Sequence, residues 1–129
     1  MRLFTYGTLC LPEVMEKVAG KGFASDDAAL MGYRSFLIRG HVYPGMIHTG
    51  DSWTGGKVYY HIDDAALARI DAFEGEYYRR VTVRPVLEDG TELDAFGYLL
   101  VESLHYLLSD KPWSEEEFRK KYLRRYLRR

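Results

Sequence analysis

An α+β fold, with a mostly antiparallel sheet of about six strands and three helices, is what this sequence predicts. Three observations lead there. Short runs rich in β-branched and aromatic residues are separated by turns containing Gly, Pro or Asp. Three other segments carry helix start and stop signals, beginning at Pro12, Asp63 and Ser114. Most strands follow one another across short turns, which favours antiparallel pairing and admits closure of the sheet on itself.

The elements read in order as follows. Leu3 to Tyr6 is a short apolar run that ends at Gly7, a strand entering a turn. Pro12 to Val18 is a short helix, with Pro at its start and Gly20 just past its end. Tyr33 to Ile38, Val42 to Ile47 and Lys57 to Ile62 read as three strands, with Gly40, Pro44-Gly45, Gly50-Asp51 and Gly55-Gly56 as turns. Asp63 caps a helix that runs to about Glu74, and Gly75 supplies a left-handed stop. Tyr78 to Leu87 and Leu93 to Val101 are two further strands joined across Glu88-Asp89-Gly90, and residues 102 to 112 are ambiguous. Ser114 opens a basic helix over about 114–129. Ser114 with Glu117 forms a capping box, Trp113 with Phe118 a hydrophobic staple, and Glu115–Arg119, Glu116–Lys120 and Glu117–Lys121 lie at i,i+4 spacing.

The chain has 129 residues, enough for a single domain over 1–129 with its own core. Apolar residues make up 47% and charged residues 29%, a globular rather than a disordered composition. A single cysteine, Cys10, excludes an internal disulfide and a cysteine-based zinc cluster. No run approaches the 18 or so apolar residues of a membrane span, and the start turns polar by Tyr6-Gly7-Thr8, too early for a signal peptide. A cytoplasmic setting is the expectation. Net charge is −1, but residues 119 to 129 carry seven Lys/Arg and no acid, so the body is acidic and the tail basic.

Two features point to chemistry. Glu74 follows Leu67 and Ile70 along the apolar stripe of its helix, so it points inward from the last turn. Desolvation and the helix dipole both raise the pKa of such a carboxyl, which suits a group that takes and returns a proton near neutrality. A small rotation at the helix end would instead turn it outward to pair with Arg79 or Arg80. The second feature is Tyr6-Gly7-Thr8-Leu9, a strand end that exposes consecutive backbone N–H groups where Gly lets a ligand approach.

Together, Leu3-Phe4-Thr5-Tyr6-Gly7-Thr8-Leu9, then Tyr43-Pro44-Gly45, then Asp71-Ala72-Phe73-Glu74-Gly75 with Tyr78 and Arg80, resemble the gamma-glutamylcyclotransferase-like family. The resemblance covers residues 3 to about 101. It implies a small mixed β-barrel with flanking helices, Glu74 as catalytic acid/base, and a substrate held by Tyr6, Gly7, Thr8 and Leu9. It also implies cyclisation of a gamma-glutamyl amine or peptide to 5-oxoproline, with no cofactor and no metal. Tyr78 and Arg80 alternate on one strand face, where they line the pocket or, for Arg80, form a structural ion pair.

The remaining candidates are weaker. His41, His48, His61 and His105 lack metal-ligand spacing. Cys10 has no His placed to activate it and reads as a bystander thiol, and Asp63-Asp64 is a helix start. Phe118, Tyr122 and Tyr126 form an aromatic stripe, read first as packing the tail on the body. The cationic end leaves contact with nucleic acid or an acidic membrane as the sharper reading. The rival function is a non-catalytic ligand- or partner-binding domain that uses the same pocket and tail. Nothing in the pattern specifies an oligomeric state.

Overall fold

A computed structural model describes residues 1–128 of the chain. Six strands form one sheet: β1 (Leu3–Thr5), β2 (Ser25–Leu37), β3 (Pro44–Tyr59), β4 (Tyr78–Val83), β5 (Val86–Leu87) and β6 (Ala95–Leu100). Their spatial order is β4-β6-β1-β3-β2-β5. Only the β1–β6 pairing is parallel, so the sheet is mixed but mostly antiparallel. Helices α1 (Pro12–Ala19), α2 (Asp64–Glu74), α3 (Glu115–Lys121) and α4 (Leu123–Leu127) accompany it.

Strand β1 and the end of β3 are apolar on both faces, and successive residues feed two different clusters. Leu3 and Tyr59 join Val14, Met15, Ala19, Leu67, Ile70 and Phe118 beneath the helices. Phe4 and Val58 join Ala28, Leu30, Met46, Val83 and Ala95 on the other face. That second set comes from nearly the whole width of the sheet, so the sheet must curl around it. It does not close into a barrel. The chain passes from one edge strand, β4, to the other, β5, through Arg84 and Pro85 alone. Proline has no N–H to donate, which interrupts the ladder at the seam and splits the single strand expected over Tyr78–Leu87.

The three strands expected between Tyr33 and Ile62 are in fact two long ones, β2 and β3. Gly50 and the Gly55-Gly56 pair lie within β3 rather than in turns. The register shifts between Met31 and Tyr33, where Gly32 and Gly50 have φ of +88° and +87°. These glycines serve a bulge. Gly56 serves close approach: a Cβ there would lie 1.9 Å from the Thr5 carbonyl oxygen. Residues 102–107 form a 3-10 turn, after which the chain straps the end of β2, with Leu37 N–H donating to Lys111 O at 2.8 Å.

The helix signals largely hold. Asp63 caps α2 by accepting from Ala66 N–H at 2.8 Å. Ser114 caps α3 by accepting from Glu117 N–H at 3.1 Å, and the Trp113 and Phe118 rings lie 5.9 Å apart. The tail is not one helix, however. Tyr122, at φ −126° and ψ −22°, breaks it into α3 and α4. Arg129 lies outside the described residues. Of the three i,i+4 pairs, Glu117–Lys121 forms at 2.9 Å, while Arg119 reaches across to Glu13 on α1. The tail is thereby tied to the helix that follows the glycine loop.

Candidate functional site

The cavity with the clearest chemistry, about 620 Å³, opens where the end of β1, the end of α2 and the C-terminal turn meet. Tyr6, Gly7, Thr8 and Leu9 line it, as do Glu74 and Tyr78. These come from three separate parts of the chain, and each is delivered by a local rule.

Gly7 leaves β1 and precedes a 3-10 turn over Thr8–Cys10, in which Cys10 N–H donates to Gly7 O (2.9 Å) and Leu11 N–H to Thr8 O (3.1 Å). The amides of Gly7, Thr8 and Leu9 precede the first of these bonds and have no carbonyl partner in the turn. Gly7 is required for room rather than for φ. Its ideal Cβ would sit 3.0 Å from the Pro44 ring, so the Tyr43-Pro44-Gly45 segment closes directly onto this loop.

Glu74 is the last residue of α2, and Gly75 ends the helix with φ +67° and ψ −153°. This is not the left-handed helical conformation expected for the stop. It is a region that essentially only glycine tolerates, and it turns the chain sharply into Tyr77 and Tyr78. Glu74 thereby stays on the inward side and lines the cavity, the first of the two orientations left open by the sequence. It accepts no hydrogen bond from the described residues. Burial, followed by the neighbouring Asp71 charge, raises its pKa from 4.5 to about 8. Asp71 is one helical turn earlier on the same stripe.

The tyrosines are the polar frame of the cavity. Tyr6 Oη donates to Tyr98 O at 2.8 Å, and Tyr78 Oη to Pro44 O at 2.6 Å. Burial raises the pKa of both well above the ordinary tyrosine value, with the Glu74 charge adding to each. They remain neutral hydroxyls, fixed in orientation by their carbonyl acceptors. Tyr98 Oη donates to Asp71 Oδ1 at 2.5 Å.

Arg80 is not among the cavity-lining residues. Its guanidinium bonds Asp71 Oδ2 at 2.8 Å and lies 4.7 Å from the Phe96 ring centroid. Of the two roles open to it, the ion pair is the one it occupies. It holds Asp71, and Asp71 in turn faces both Glu74 and Tyr98.

Several lining residues carried no local signal in the sequence. Lys17 and Arg69 come from α1 and α2, Tyr98 from β6, and Tyr126 and Leu127 from α4. The Tyr126 hydroxyl lies 3.5 Å from Thr8 Oγ1, and its ring stands edge-on to Phe73 and Phe118. The aromatic stripe expected only to dock the tail therefore also walls the cavity. Cys10 is buried beside Thr5, and burial pushes its thiol up to about 11, consistent with a bystander. Among the described residues no cluster of His, Cys, Asp and Glu could hold a metal ion, and no helix is long and apolar enough to cross a membrane.

A mixed, mostly antiparallel six-stranded sheet with flanking helices matches the gamma-glutamylcyclotransferase fold. The chain belongs to the family described as gamma-glutamyl cyclotransferase, AIG2-like, whose model matches residues 3–115. It is 34% identical over 122 residues to AIG2-like protein C of Arabidopsis thaliana, covering 91% of this chain and 68% of that protein. A solution structure of another Arabidopsis thaliana protein superposes with a TM-score of 0.76 at 26% identity, covering 98% of this chain and 77% of that one. A solved gamma-glutamyl cyclotransferase shares the fold, with a TM-score of 0.69 at 17% identity over 78% of this chain and 66% of the other.

Proposed function

We propose that this protein cyclises a gamma-glutamyl amine or peptide, releasing 5-oxoproline and the free amine, with Glu74 as the general acid/base. The observation that carries this reading is that Glu74 and residues 6–9 line the same cavity. Proton shuttle and oxyanion donors can then surround a single carbonyl.

The reaction needs little else. The substrate's own α-amine is the nucleophile, so no Ser or Cys takes part. Glu74, as carboxylate, removes a proton from the α-ammonium. The freed amine attacks the γ-carbonyl and closes a five-membered ring. Negative charge develops on the carbonyl oxygen, and in this reading the N–H groups of the Tyr6–Leu9 loop are its hydrogen-bond donors. Glu74 passes its proton to the leaving nitrogen and takes the second proton from the ring nitrogen. Collapse then breaks the bond to the leaving nitrogen, and the released amine takes that proton to depart as ammonium. Bonds and protons balance, and Glu74 ends as it began. The neutral hydroxyls of Tyr6 and Tyr78 shape the space in which the flexible glutamyl chain must fold into its attacking geometry, a large part of the rate.

The test is to incubate the protein with a panel of gamma-glutamyl compounds and assay 5-oxoproline, with Glu74→Gln in parallel. Release that disappears in the variant is the expected result. Binding of panel members without any release would leave the pocket as a binding site alone.

A further inference from the structure

The cavity has a second, cationic end. Lys17 and Arg69 line it but have no carboxylate within ion-pair distance among the described residues. Each donates to a neutral main-chain carbonyl instead. Lys17 Nζ reaches Leu127 O, and Arg69 Nη1 reaches Ala19 O at 3.0 Å. A guanidinium has five N–H donors and an ammonium three, so both retain donors for a ligand. Both side chains are exposed at the rim, while Phe73, Tyr126 and Leu127 form the apolar wall beside them.

Resting on the cyclisation reading above, we propose that Lys17 and Arg69 select gamma-glutamyl substrates whose leaving amine carries a carboxylate, that is, gamma-glutamyl amino acids or peptides rather than gamma-glutamyl alkylamines. In that reading the glutamyl half is held between Glu74 and the Tyr6–Leu9 loop, and the leaving half extends toward the cations. The spacing suits this. Arg69 and Glu74 are five residues apart on one helix, about 7.5 Å along its axis. A carboxylate on the carbon next to the leaving nitrogen lies three bonds, roughly 4 Å, from the reacting carbonyl, and the long Arg69 and Lys17 side chains can span the remainder. The acidic groups at the cavity, Glu74 and Glu76, come from the end of α2 and the turn after it, whereas the cations come from α1 and an earlier turn of α2. A ligand with its ammonium toward Glu74 and its far carboxylate toward Lys17 and Arg69 matches that polarity.

Gamma-glutamylalanine and gamma-glutamylethylamide differ only in that carboxylate, and comparing them tests the proposal. The parent protein should favour gamma-glutamylalanine by roughly tenfold in kcat/KM, the size of one charge-assisted contact at a partly exposed site. Arg69→Gln and Lys17→Gln should raise KM for gamma-glutamylalanine more than they lower kcat, and bring the ratio of the two substrates toward one. Arg69→Lys, which keeps the charge, should retain part of the preference and covers the case in which Arg69→Gln fails to fold. Equal turnover of both substrates by the parent, or variants that lose both in proportion, would overturn the proposal. If neither compound releases 5-oxoproline, the cyclisation reading fails, and calorimetric titration of the same two compounds still decides the selectivity. Carboxylate-dependent binding that the Gln variants lose upholds it, and no preference or no binding overturns it.

Discussion

A half-buried carboxyl in the last turn of a helix, with no hydrogen-bond donor among the described residues, is costly to ionise, and the consequences at Glu74 are measurable in two ways. The first is kinetic. With its pKa raised to about 8, only about a tenth of the free enzyme carries the carboxylate at pH 7. If that carboxylate is the base, kcat/KM should climb with pH and level off above about 8. Glu74→Gln should abolish the climb and lower turnover by roughly 10²–10⁴-fold. A Gln variant that turns over at the parent rate would remove Glu74 from the mechanism. The second consequence is for stability. The folded value lies above the unfolded 4.5, so Glu74's contribution is most favourable below pH 4.5, where both states are protonated. It is lost progressively as pH rises from 4.5 to about 8, because the unfolded chain ionises freely and the folded one does not. Glu74→Gln should therefore be more stable than the parent at pH 8.5, by about 1–3 kcal/mol, and close to it at pH 4.5. Paired melts at the two pH values check the sign.

Two elements hold the site in place, and each can be broken separately. The β1 strand delivers the glycine loop only because β3 approaches it closely at Gly56, where a Cβ would collide with the Thr5 carbonyl. Gly56→Ala should push the strands apart and cost about 3 kcal/mol or more, seen as a lower denaturation midpoint. The C-terminal turn is the other element. On sequence alone, truncation after Lys121 costs only packing and spares the pocket. With Tyr126 and Leu127 in the cavity wall, the expected outcome changes. Truncation should lower stability by about 2 kcal/mol through lost burial of Tyr122, Leu123, Tyr126 and Leu127, and should also raise KM several-fold by opening the site. A truncated protein with unchanged KM would return the tail to a purely structural role.

For the molecule as a whole, both apolar clusters share β1 and β3, and the helices that cover one face also carry the site. Loss of either cluster exposes the other, so unfolding should be a single transition. Far- and near-ultraviolet dichroism should give coincident denaturation curves, and separated midpoints would show that the tail or the long hairpin unfolds independently. The charge division also acts at this scale. The basic tail meets the acidic body within one chain, through Arg119 on Glu13. That contact uses part of the positive charge that otherwise suggests a nucleic-acid partner. A labelled oligonucleotide in low salt, against the full chain and the truncated one, measures what is left.

Much of this was legible in the residues alone, wherever the cause is local. Asp63, Ser114, Pro12 and Gly20 mark helix ends because caps and breakers act over three or four residues. Glu74 follows Leu67 and Ile70 at helical spacing, so periodicity placed it on the inward stripe while leaving open a rotation at the helix end that would turn it outward. The Tyr6-Gly7-Thr8-Leu9 loop is by itself an ordinary turn signal, and it stood out only in combination with Tyr43-Pro44-Gly45 and Asp71-Ala72-Phe73-Glu74-Gly75. What only the tertiary structure decided has non-local causes. Gly50, Gly55 and Gly56 look like turn residues but lie inside a strand: Gly50, at φ +87°, serves the bulge, and Gly56 leaves room for the carbonyl of Thr5 on β1, which is far away in sequence. The sheet stays open because its two edges meet at Pro85, which depends on strand order rather than on any local pattern. Arg80 pairs with Asp71 rather than facing the cavity, and Lys17, Arg69 and Tyr126 share a wall, because α1, α2 and α4 converge after the chain has folded around its core. Sequence periodicity specifies which side of an element faces inward. Which elements meet there is set by packing.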